Sequence, residues 1–249
     1  MVERVPIDIT LILPAYNEAG CIAGTIAESV NYFWSRGLSY EILVAADGND
    51  GTREIVADLG RSDPAIRGFG EPQRRGKGRG IREAVGMAAG SIIGFADADN
   101  KVPIEEYDKL APLLAEGVPI VIGSRAVARA TILRSQPWYR RIGSKGFGVV
   151  MRATTGLREI ADTQCGFKFF RGDVARRLFR LQRIDGYMYD VEILLLAQYL
   201  GYQVREVPIR WRDDGDSRLD LVRGNLRNMR DILRVRRQVR AAVRREAKV

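Results

Sequence analysis

Apolar runs alternate with helical patterns along the first half of this 249-residue chain. Short apolar runs predict strands at residues 7–14, 40–46, 66–69, 91–96 and 119–124. Amphipathic spacing predicts helices between them, at residues 19–36, after Gly51, at 79–89 and at 104–116. Such alternation is typical of an α/β fold. We therefore expect a mostly parallel, Rossmann-like sheet flanked by helices, with its functional loops at the carboxyl ends of the strands.

Two later segments mix basic residues with apolar ones. Residues 133–156 place arginines among Trp138, Tyr139 and Phe147, and residues 218–249 carry 11 Lys or Arg against 3 acidic residues. In the second segment, leucine, valine and methionine recur every three or four residues, which predicts an amphipathic helix. Such helices could lie in a membrane interface or pack on the core with a solvated basic face, and both arrangements could hold along the tail.

Composition narrows the chemistry. The chain has no histidine, which excludes a histidine base, a Ser-His or Cys-His nucleophile and the usual zinc ligands. Its net charge of +9 favours an anionic partner. Cys21 and Cys165 are too far apart for a recognisable metal or redox motif and suit a reducing compartment. With no basic-then-apolar leader and no apolar run of roughly 18 residues, we expect a cytosolic protein without a membrane span.

The most informative motif is Phe95-Ala96-Asp97-Ala98-Asp99, an apolar strand end that runs into two carboxylates. If this segment is extended, Asp97 and Asp99 point the same way and could hold one Mg²⁺ or Mn²⁺ ion together. Such an ion would neutralise a diphosphate. Two solvated loop acids are the alternative explanation.

Three other segments favour a nucleotide site. Residues 74–80 combine four basic side chains, among them Lys77, with three glycines at a helix start, which predicts a phosphate-binding loop. Tyr16, at the end of the first strand, could offer its ring to a base, and Glu18 could accept hydrogen bonds from ribose hydroxyls. Asp47 ends the second strand and could accept a base N–H. Taken alone, each segment could be an ordinary turn or a flexible basic loop.

These motifs resemble, in order and spacing, the family 2 glycosyltransferases with the GT-A fold. The likeness extends toward the dolichyl-phosphate glucosyltransferases and their sister mannose synthases through Gly123-Ser124-Arg125, Asp162-Thr163-Gln164-Cys165-Gly166-Phe167-Lys168-Phe169-Phe170 and Tyr189-Asp190-Val191-Glu192-Ile193-Leu194-Leu195. It implies a catalytic domain at residues 1–217 that contains an interfacial, acceptor-side insertion at 133–156, followed by a basic amphipathic helix at 218–249.

The resemblance also implies roles for individual residues. The nucleotide sugar would be bound by Pro14, Tyr16, Glu18, Asp47, Lys77, Asp97, Arg212 and Arg218. The cation, Mg²⁺ or Mn²⁺, would be held by Asp97 and Asp99, and the acceptor's lipid phosphate would meet Arg125, Arg140 and Ser144. Catalytic roles would fall to Asp99, Asp162 and Asp190. A plain turn would equally explain Asp162, and a helix N-terminal charge would explain Asp190. Cys165 is expected to be a packing residue.

The implied reaction is an inverting transfer of a hexose from a nucleotide-diphosphate sugar to a polyprenyl or dolichyl phosphate, with UDP-glucose favoured over GDP-mannose or a UDP-N-acetylhexosamine. The acceptor phosphate is already ionised at neutral pH, so a chain without histidine suffices. The enzyme would be peripheral on the cytoplasmic face of an anionic membrane, with a separate membrane anchor protein as an option and no nucleic acid partner.

Two alternatives stay open. One is a GT-A glycosyltransferase that acts on a soluble or polysaccharide acceptor, and the other is a non-catalytic nucleotide- or nucleic-acid-binding protein. The sequence also departs from the family in one place. Ala46 stands where relatives usually carry the first acid of an Asp-Asp-Gly turn, and the turn is one residue shorter.

Overall fold

The computed structural model describes residues 6–132, 151, 154–212 and 223–246, with side chains from residue 234 onward in the last range. The strands of its main sheet are β1 (Ile9–Tyr16), β2 (Tyr40–Asp47), β3 (Ile66–Phe69), β4 (Ile92–Ala96), β5 (Ile120–Ser124), β7 (Phe167–Arg171) and β8 (Val204–Pro208). Two short strands, β6 (Thr131–Ile132) and β9 (Arg210–Trp211), pair separately. The strand order is β3-β2-β1-β4-β7-β5-β8, and each pair is parallel except those that involve β7. The expected mostly parallel α/β sheet is confirmed.

Helices flank this sheet. They are α1 (Ile22–Ser35), α2 (Thr52–Ser62), α3 (Lys77–Met87), α4 (Ala111–Ala115), α5 (Gly172–Leu181), α6 (Tyr189–Tyr199) and α7 (Arg223–Glu246). The prediction of a single helix at 104–116 is wrong, because a 3₁₀ helix at Ile104–Lys109 precedes the short α4. Pro112 explains the break, since it has no backbone N–H to continue the helical hydrogen bonds. No helix within the described ranges is long and apolar enough to span a bilayer.

The sheet separates two apolar cores. Leu11 and Leu13 of β1 face the core that α1 covers, whereas Ile12 faces the core covered by α3, α5 and α6. Both faces of β1 and β2 are therefore buried, which is why these strands are continuously apolar rather than alternating. The same property made them easy to predict.

Strand β7 was not predicted. It runs antiparallel between β4 and β5, with Ala96 opposite Phe167 and Ile92 opposite Arg171. Phe167 belongs to the core on the α1 side and Phe170 to the opposite core. Because β7 begins where β4 ends, the loop before β7 lies beside the segment that follows β4.

The C-terminal helix packs on the domain in its described part. Val235 and Val239 of α7 have 0% exposure and belong to the same core as α5 and α6. Of the two arrangements left open for the tail, packing on the core holds here. In the other basic segment, Met151 and Thr155 are buried as well, and residues 133–150 and 152–153 lie outside the described part of the chain.

Candidate active site

Strands β1 and β2 end side by side at the carboxyl edge of the sheet. Tyr16 and Asp47 are register partners, so two residues predicted to bind the nucleoside are neighbours. Two positions before this pair, Pro14 is the register partner of Ala45, and Pro14 is partly exposed. This edge is the place where parallel sheets of this kind bind ligands.

The loops that follow β1 and β2 are joined by hydrogen bonds. One oxygen of Asp50 accepts from Ala19 N (2.9 Å) and the other accepts from Thr52 Oγ1 (2.6 Å). Thr52 Oγ1 in turn accepts from Glu18 N (3.0 Å). Glu18 is therefore fixed at the edge of the predicted nucleoside site by a residue, Asp50, that the sequence analysis did not single out.

Asp47 organises the basic loop. Its Oδ1 accepts a hydrogen bond from Glu71 N (3.2 Å) and its Oδ2 accepts one from Arg75 N (2.7 Å). The carboxylate thus anchors residues 71–75 beside the end of β2. Asp47 has this structural task in addition to the base contact predicted for it.

The glycines of the basic loop allow close packing against another segment of the chain. Gly76 has φ +114 and lies just before Lys77, the first residue of α3. A Cβ atom at Gly78 would lie 2.5 Å from the Cβ of Tyr189, and Gly78 N donates to Asp185 O (2.8 Å). The missing side chains at Gly76 and Gly78 thus have a structural use, because they let the start of α3 pack against residues 184–189.

Arg74 lies between two tyrosine rings. Its guanidinium carbon is 4.5 Å from the ring centre of Tyr16 and 5.7 Å from that of Tyr187. Arg74 also donates to Tyr187 Oη (2.7 Å). One face of the ring predicted to stack on a base therefore carries a cation, and a bound base must use the other face or displace Arg74.

Asp97 and Asp99 lie in a turn, not in an extended strand. β4 ends at Ala96, and Asn100 N donates to Asp97 O across the turn (3.2 Å). Strand alternation therefore does not place the two carboxylates, and that part of the sequence interpretation is wrong. Helix α1 holds the turn instead, because Thr25 Oγ1 donates to Ala98 O (2.8 Å). We call residues 97–100 the acidic turn.

Each carboxylate of the acidic turn meets an ammonium group. Lys77 Nζ donates to Asp97 Oδ1, and Lys101 Nζ lies 2.8 Å from Asp99 Oδ2. Burial lowers the pKa of Lys77, but the charges of Asp97 and Asp190 outweigh burial and hold that pKa above its usual value. The ammonium groups of Lys77 and Lys101 thus lie where the two carboxylates would attract a metal cation.

The acidic turn fits a divalent cation that is shared with a substrate. Carboxylate oxygens suit Mg²⁺ and Mn²⁺, and one or two of them commonly hold such an ion together with substrate phosphates. Within the described residues, no group of three or more Asp, Glu, Cys or His could enclose a metal. Asp97 and Asp99 would therefore supply the protein ligands, and a diphosphate would complete the shell.

Arg125 and Asp162 form a bidentate ion pair. Arg125 Nε and Nη2 donate to the two carboxylate oxygens (2.7 and 2.9 Å), and Arg125 N donates as well (3.0 Å). Glu206 accepts from the backbone N–H of Ala161 and Asp162 (2.8 and 2.9 Å). Burial raises the pKa of Asp162, but the bonds from Arg125 outweigh it and keep that pKa below its usual range. An ionised carboxylate with these bonds is placed to position Arg125.

Asp190 forms a buried pair with a lysine of β7. Lys168 has 0% exposure and Asp190 5%, and Lys168 Nζ lies 2.8 Å from Asp190 Oδ1. Lys168 Nζ also donates to Cys165 O (2.5 Å). Burial raises the pKa of Asp190 more than Lys168 and Lys77 lower it. Burial also raises the pKa of the Cys165 thiol to about 12, which suits the packing role expected for it.

Most of the predicted site residues meet at one edge of the sheet. Arg212 joins them, because its N–H donates to Lys101 O beside the acidic turn (2.9 Å). Arg140, Ser144 and Arg218 lie outside the described residues. Sequence reasoning missed two supports, Glu206 and Lys168. A lysine inside the apolar run at 167–170 was the available signal for the second, since a charged residue is rarely buried without a partner.

Comparison with known proteins identifies the family. The family model described as "Glycosyl transferase family 2" matches residues 10–179 of this chain. The dolichyl-phosphate beta-glucosyltransferase of Dictyostelium discoideum is 30% identical over 93% of this chain and 75% of its own length. The dolichyl-phosphate beta-glucosyltransferase of Drosophila melanogaster is 31% identical over 86% of this chain and 69% of its own length. A Trichomonas vaginalis enzyme of the same name is 33% identical over 85% of this chain and 66% of its own length.

Solved structures share the fold. A glucosyl-3-phosphoglycerate synthase from Mycobacterium tuberculosis, in complex with Mn²⁺, UDP-glucose and phosphoglyceric acid, has a TM-score of 0.67 at 19% identity, with 92% of this chain and 79% of that chain covered. A mannosyl-3-phosphoglycerate synthase from Rubrobacter xylanophilus has a TM-score of 0.66 at 19% identity, with coverages of 98% and 76%. Fold, motifs and family match agree, and the chain belongs to family 2 of the glycosyltransferases.

Proposed function

We propose that this chain transfers a hexose, with inversion at the anomeric carbon, from a nucleotide-diphosphate sugar to a polyprenyl or dolichyl phosphate. The favoured donor is UDP-glucose, with GDP-mannose and a UDP-N-acetylhexosamine as the competing donors. The observation that carries the proposal is the meeting of the acidic turn, Lys77 and the Tyr16–Asp47 pair at one sheet edge. The lipid phosphate and the glucose are suggested by the names of the curated relatives.

The donor would bind along the carboxyl edge of the sheet. Tyr16 and Asp47 would contact the nucleoside, helped by Pro14 and Glu18, and the diphosphate would lie near Lys77. Arg212 and Arg218 are proposed to close over the phosphates. Asp97 and Asp99 would hold Mg²⁺ or Mn²⁺, which when bound supplies positive charge that stabilises the departing nucleoside diphosphate. Lys77 adds a second charge, which matters most when the bond to the sugar breaks.

The acceptor would enter on the other side of the sugar. A phosphate monoester has its second pKa near about 6, so its oxygen is largely ionised at neutral pH and can attack the anomeric carbon without a strong base. Arg125 would attract this phosphate while Asp162 keeps the guanidinium in place. Arg140 and Ser144 are proposed for the same phosphate. In this scheme Asp162 and Asp190 position cations, and neither carboxylate removes a proton.

A transfer assay tests the proposal. Full-length protein is incubated with radiolabelled UDP-glucose, GDP-mannose or UDP-N-acetylglucosamine, with MnCl₂ or MgCl₂, and with polyprenyl phosphate in detergent. We expect label from UDP-glucose in the lipid phase, and none when a chelator replaces the metal salt. Label that reaches only a soluble acceptor would show that the lipid assignment is wrong. Transfer from another donor alone would correct the sugar.

We also propose that the enzyme acts as a peripheral protein on the cytoplasmic face of a membrane, because its acceptor would be anchored there by a hydrocarbon chain. A separate membrane anchor protein is an additional proposed partner. Fractionation of cells that express the tagged full-length protein tests this location. Recovery in the soluble fraction at low salt would contradict it.

A further inference from the structure

The described end of α7 presents arginines on one side. Six of them are exposed, and we call this set the arginine face: Arg234, Arg236, Arg237, Arg240, Arg244 and Arg245. No acidic residue occurs in the sequence from 234 to 245. The acid that follows, Glu246, pairs with Arg177 (3.1 Å) and Arg180 (3.6 Å) of α5. Among the described side chains, the arginine face therefore has no carboxylate partner.

Contacts on the other side fix α7 to the domain. Val235 and Val239 are fully buried, and Val243 packs against the same core. Arg240 Nε donates to Tyr199 Oη at the end of α6 (2.7 Å), with its guanidinium 5.7 Å from the Tyr199 ring centre. The helix is thus held with its apolar side inward and its arginines outward. An apolar side that is already buried cannot also insert into a lipid layer.

The charge of this face needs an explanation outside the fold. Arg236, Arg240 and Arg244 follow one another at intervals of four residues, and like charges at this spacing destabilise a helix. The helix dipole favours cations only in the last turn, which accounts for Arg244 and Arg245. Arg236, Arg237, Arg240 and Arg244 line one continuous open surface. A row of like charges on an open surface is typical of a surface that receives anions.

We propose that the arginine face docks the enzyme on a bilayer that contains anionic phospholipids, through charge alone and with α7 still packed on the core. The inference rests on the proposed lipid acceptor, which would reside in that bilayer, and it specifies how the enzyme reaches it. Single-stranded nucleic acid is the weaker fit, because such sites use free aromatic rings for stacking. The ring of Tyr199, which lies on this face, is engaged by Arg240.

A charge-neutralised variant tests the docking surface. The triple variant Arg237→Gln, Arg244→Gln and Arg245→Gln keeps the helix-forming stems and removes three exposed charges. Vesicles of phosphatidylcholine with and without phosphatidylserine are sedimented with the full-length protein at low and high salt. We expect the wild type to bind only the phosphatidylserine vesicles and to be released by salt. The triple variant should bind them roughly a hundredfold more weakly, since each basic residue near an anionic surface contributes about fivefold.

A second triple variant is the matched control. Arg36→Gln, Arg61→Gln and Arg171→Gln remove the same charge from side chains that are 51%, 73% and 48% exposed elsewhere on the surface. Equal loss of vesicle binding in both triples would overturn the proposal, because net charge would then suffice. Binding that survives high salt would show apolar insertion instead. Loss of binding to an RNA oligonucleotide, with vesicle binding intact, would assign the face to nucleic acid.

The docking inference can fail separately from the proposed reaction. Transfer to polyprenyl phosphate dissolved in detergent should be unchanged in the first triple variant, because these arginines lie outside the proposed active site. Normal transfer in detergent with unchanged vesicle binding would overturn the docking surface alone. Absence of transfer from every donor, with vesicle binding lost only in the first triple variant, would overturn the proposed reaction and support the charge surface.

Discussion

Replacing Lys168 by methionine tests the electrostatic support beneath the proposed active site. Lys168 and Asp190 are 0% and 5% exposed and lie 2.8 Å apart. Methionine keeps the length of the side chain but removes its charge, so Asp190 stays in the core without the ammonium group that hydrogen-bonds to it. Breaking a buried ion pair in this way costs about 3–5 kcal/mol.

The protonation of Asp190 limits that cost. Burial already raises the pKa of Asp190 in the native protein. Without Lys168 the buried carboxyl would take up a proton, whereas the unfolded chain keeps a pKa of about 3.9. At pH 7 the difference of about 3 pH units corresponds to at most roughly 4 kcal/mol, at about 1.4 kcal/mol per unit, because the raised pKa of Asp190 in the wild type already includes part of it. The pKa of Asp190 is higher in the folded variant than in the unfolded chain. The protonated carboxyl therefore stabilises the folded state fully below about pH 4, and this stabilisation is lost as the pH rises. The variant should therefore be most destabilised at neutral pH and recover towards pH 4.

Urea unfolding followed by circular dichroism measures this effect. We expect Lys168→Met to lower the free energy of unfolding by up to about 4 kcal/mol at pH 7, and by clearly less at pH 5. The double variant Lys168→Met, Asp190→Leu should recover most of the stability, since apolar pairs replace buried ion pairs well. Arg171→Met on the same strand is the control. Its ion pair with Asp173 is exposed and contributes little. A pH-independent loss, or a double variant as unstable as the single one, would refute the reasoning.

Three further variants and one control variant test other parts of the account. Asp99→Asn should abolish transfer and weaken Mn²⁺-dependent donor binding while stability changes by less than about 0.5 kcal/mol, and normal turnover would contradict the metal role. Gly78→Ala places a Cβ atom 2.5 Å from that of Tyr189, so we expect a loss of about 1–3 kcal/mol and a higher KM for the donor. Gly86→Ala, on the same helix with nothing within 4 Å, should be neutral or stabilising, and equal effects at both positions would refute the packing argument. Val239→Ala should cost about 2 kcal/mol by urea unfolding, because it empties a fully buried site. An unchanged midpoint would show that α7 does not pack there.

Strands β1 and β2 were predictable because each is a nearly continuous apolar run that both faces of the sheet bury. The parallel strand β8 was not predicted, because it mixes charged with apolar residues and buries only Val207. Strand β7 was not predicted either, because Lys168 interrupts its short apolar run, and its antiparallel insertion between two distant strands leaves no signal in the order of the chain. The same limit applies to the site. Sequence spacing identified Asp97, but its lysine partner lies 20 residues away, and only the fold brings the two together.

Local backbone geometry was the other source of error. Asp97 and Asp99 were expected on one face of a strand, whereas the strand ends at Ala96 and a turn follows. The residues themselves were still identified, because a turn at the end of a parallel strand also lies at the ligand-binding edge. Composition and order therefore identified the residue types, and the fold determined which atoms meet.

The most direct measurement of the central claim is an NMR determination of the anomeric configuration in the lipid product made from UDP-α-glucose and polyprenyl phosphate. One inverting attack by the acceptor phosphate predicts a β-linked glucosyl phosphate, formed only when Mg²⁺ or Mn²⁺ is present. An α-linked product, or no lipid-linked glucose with active enzyme, would contradict the account.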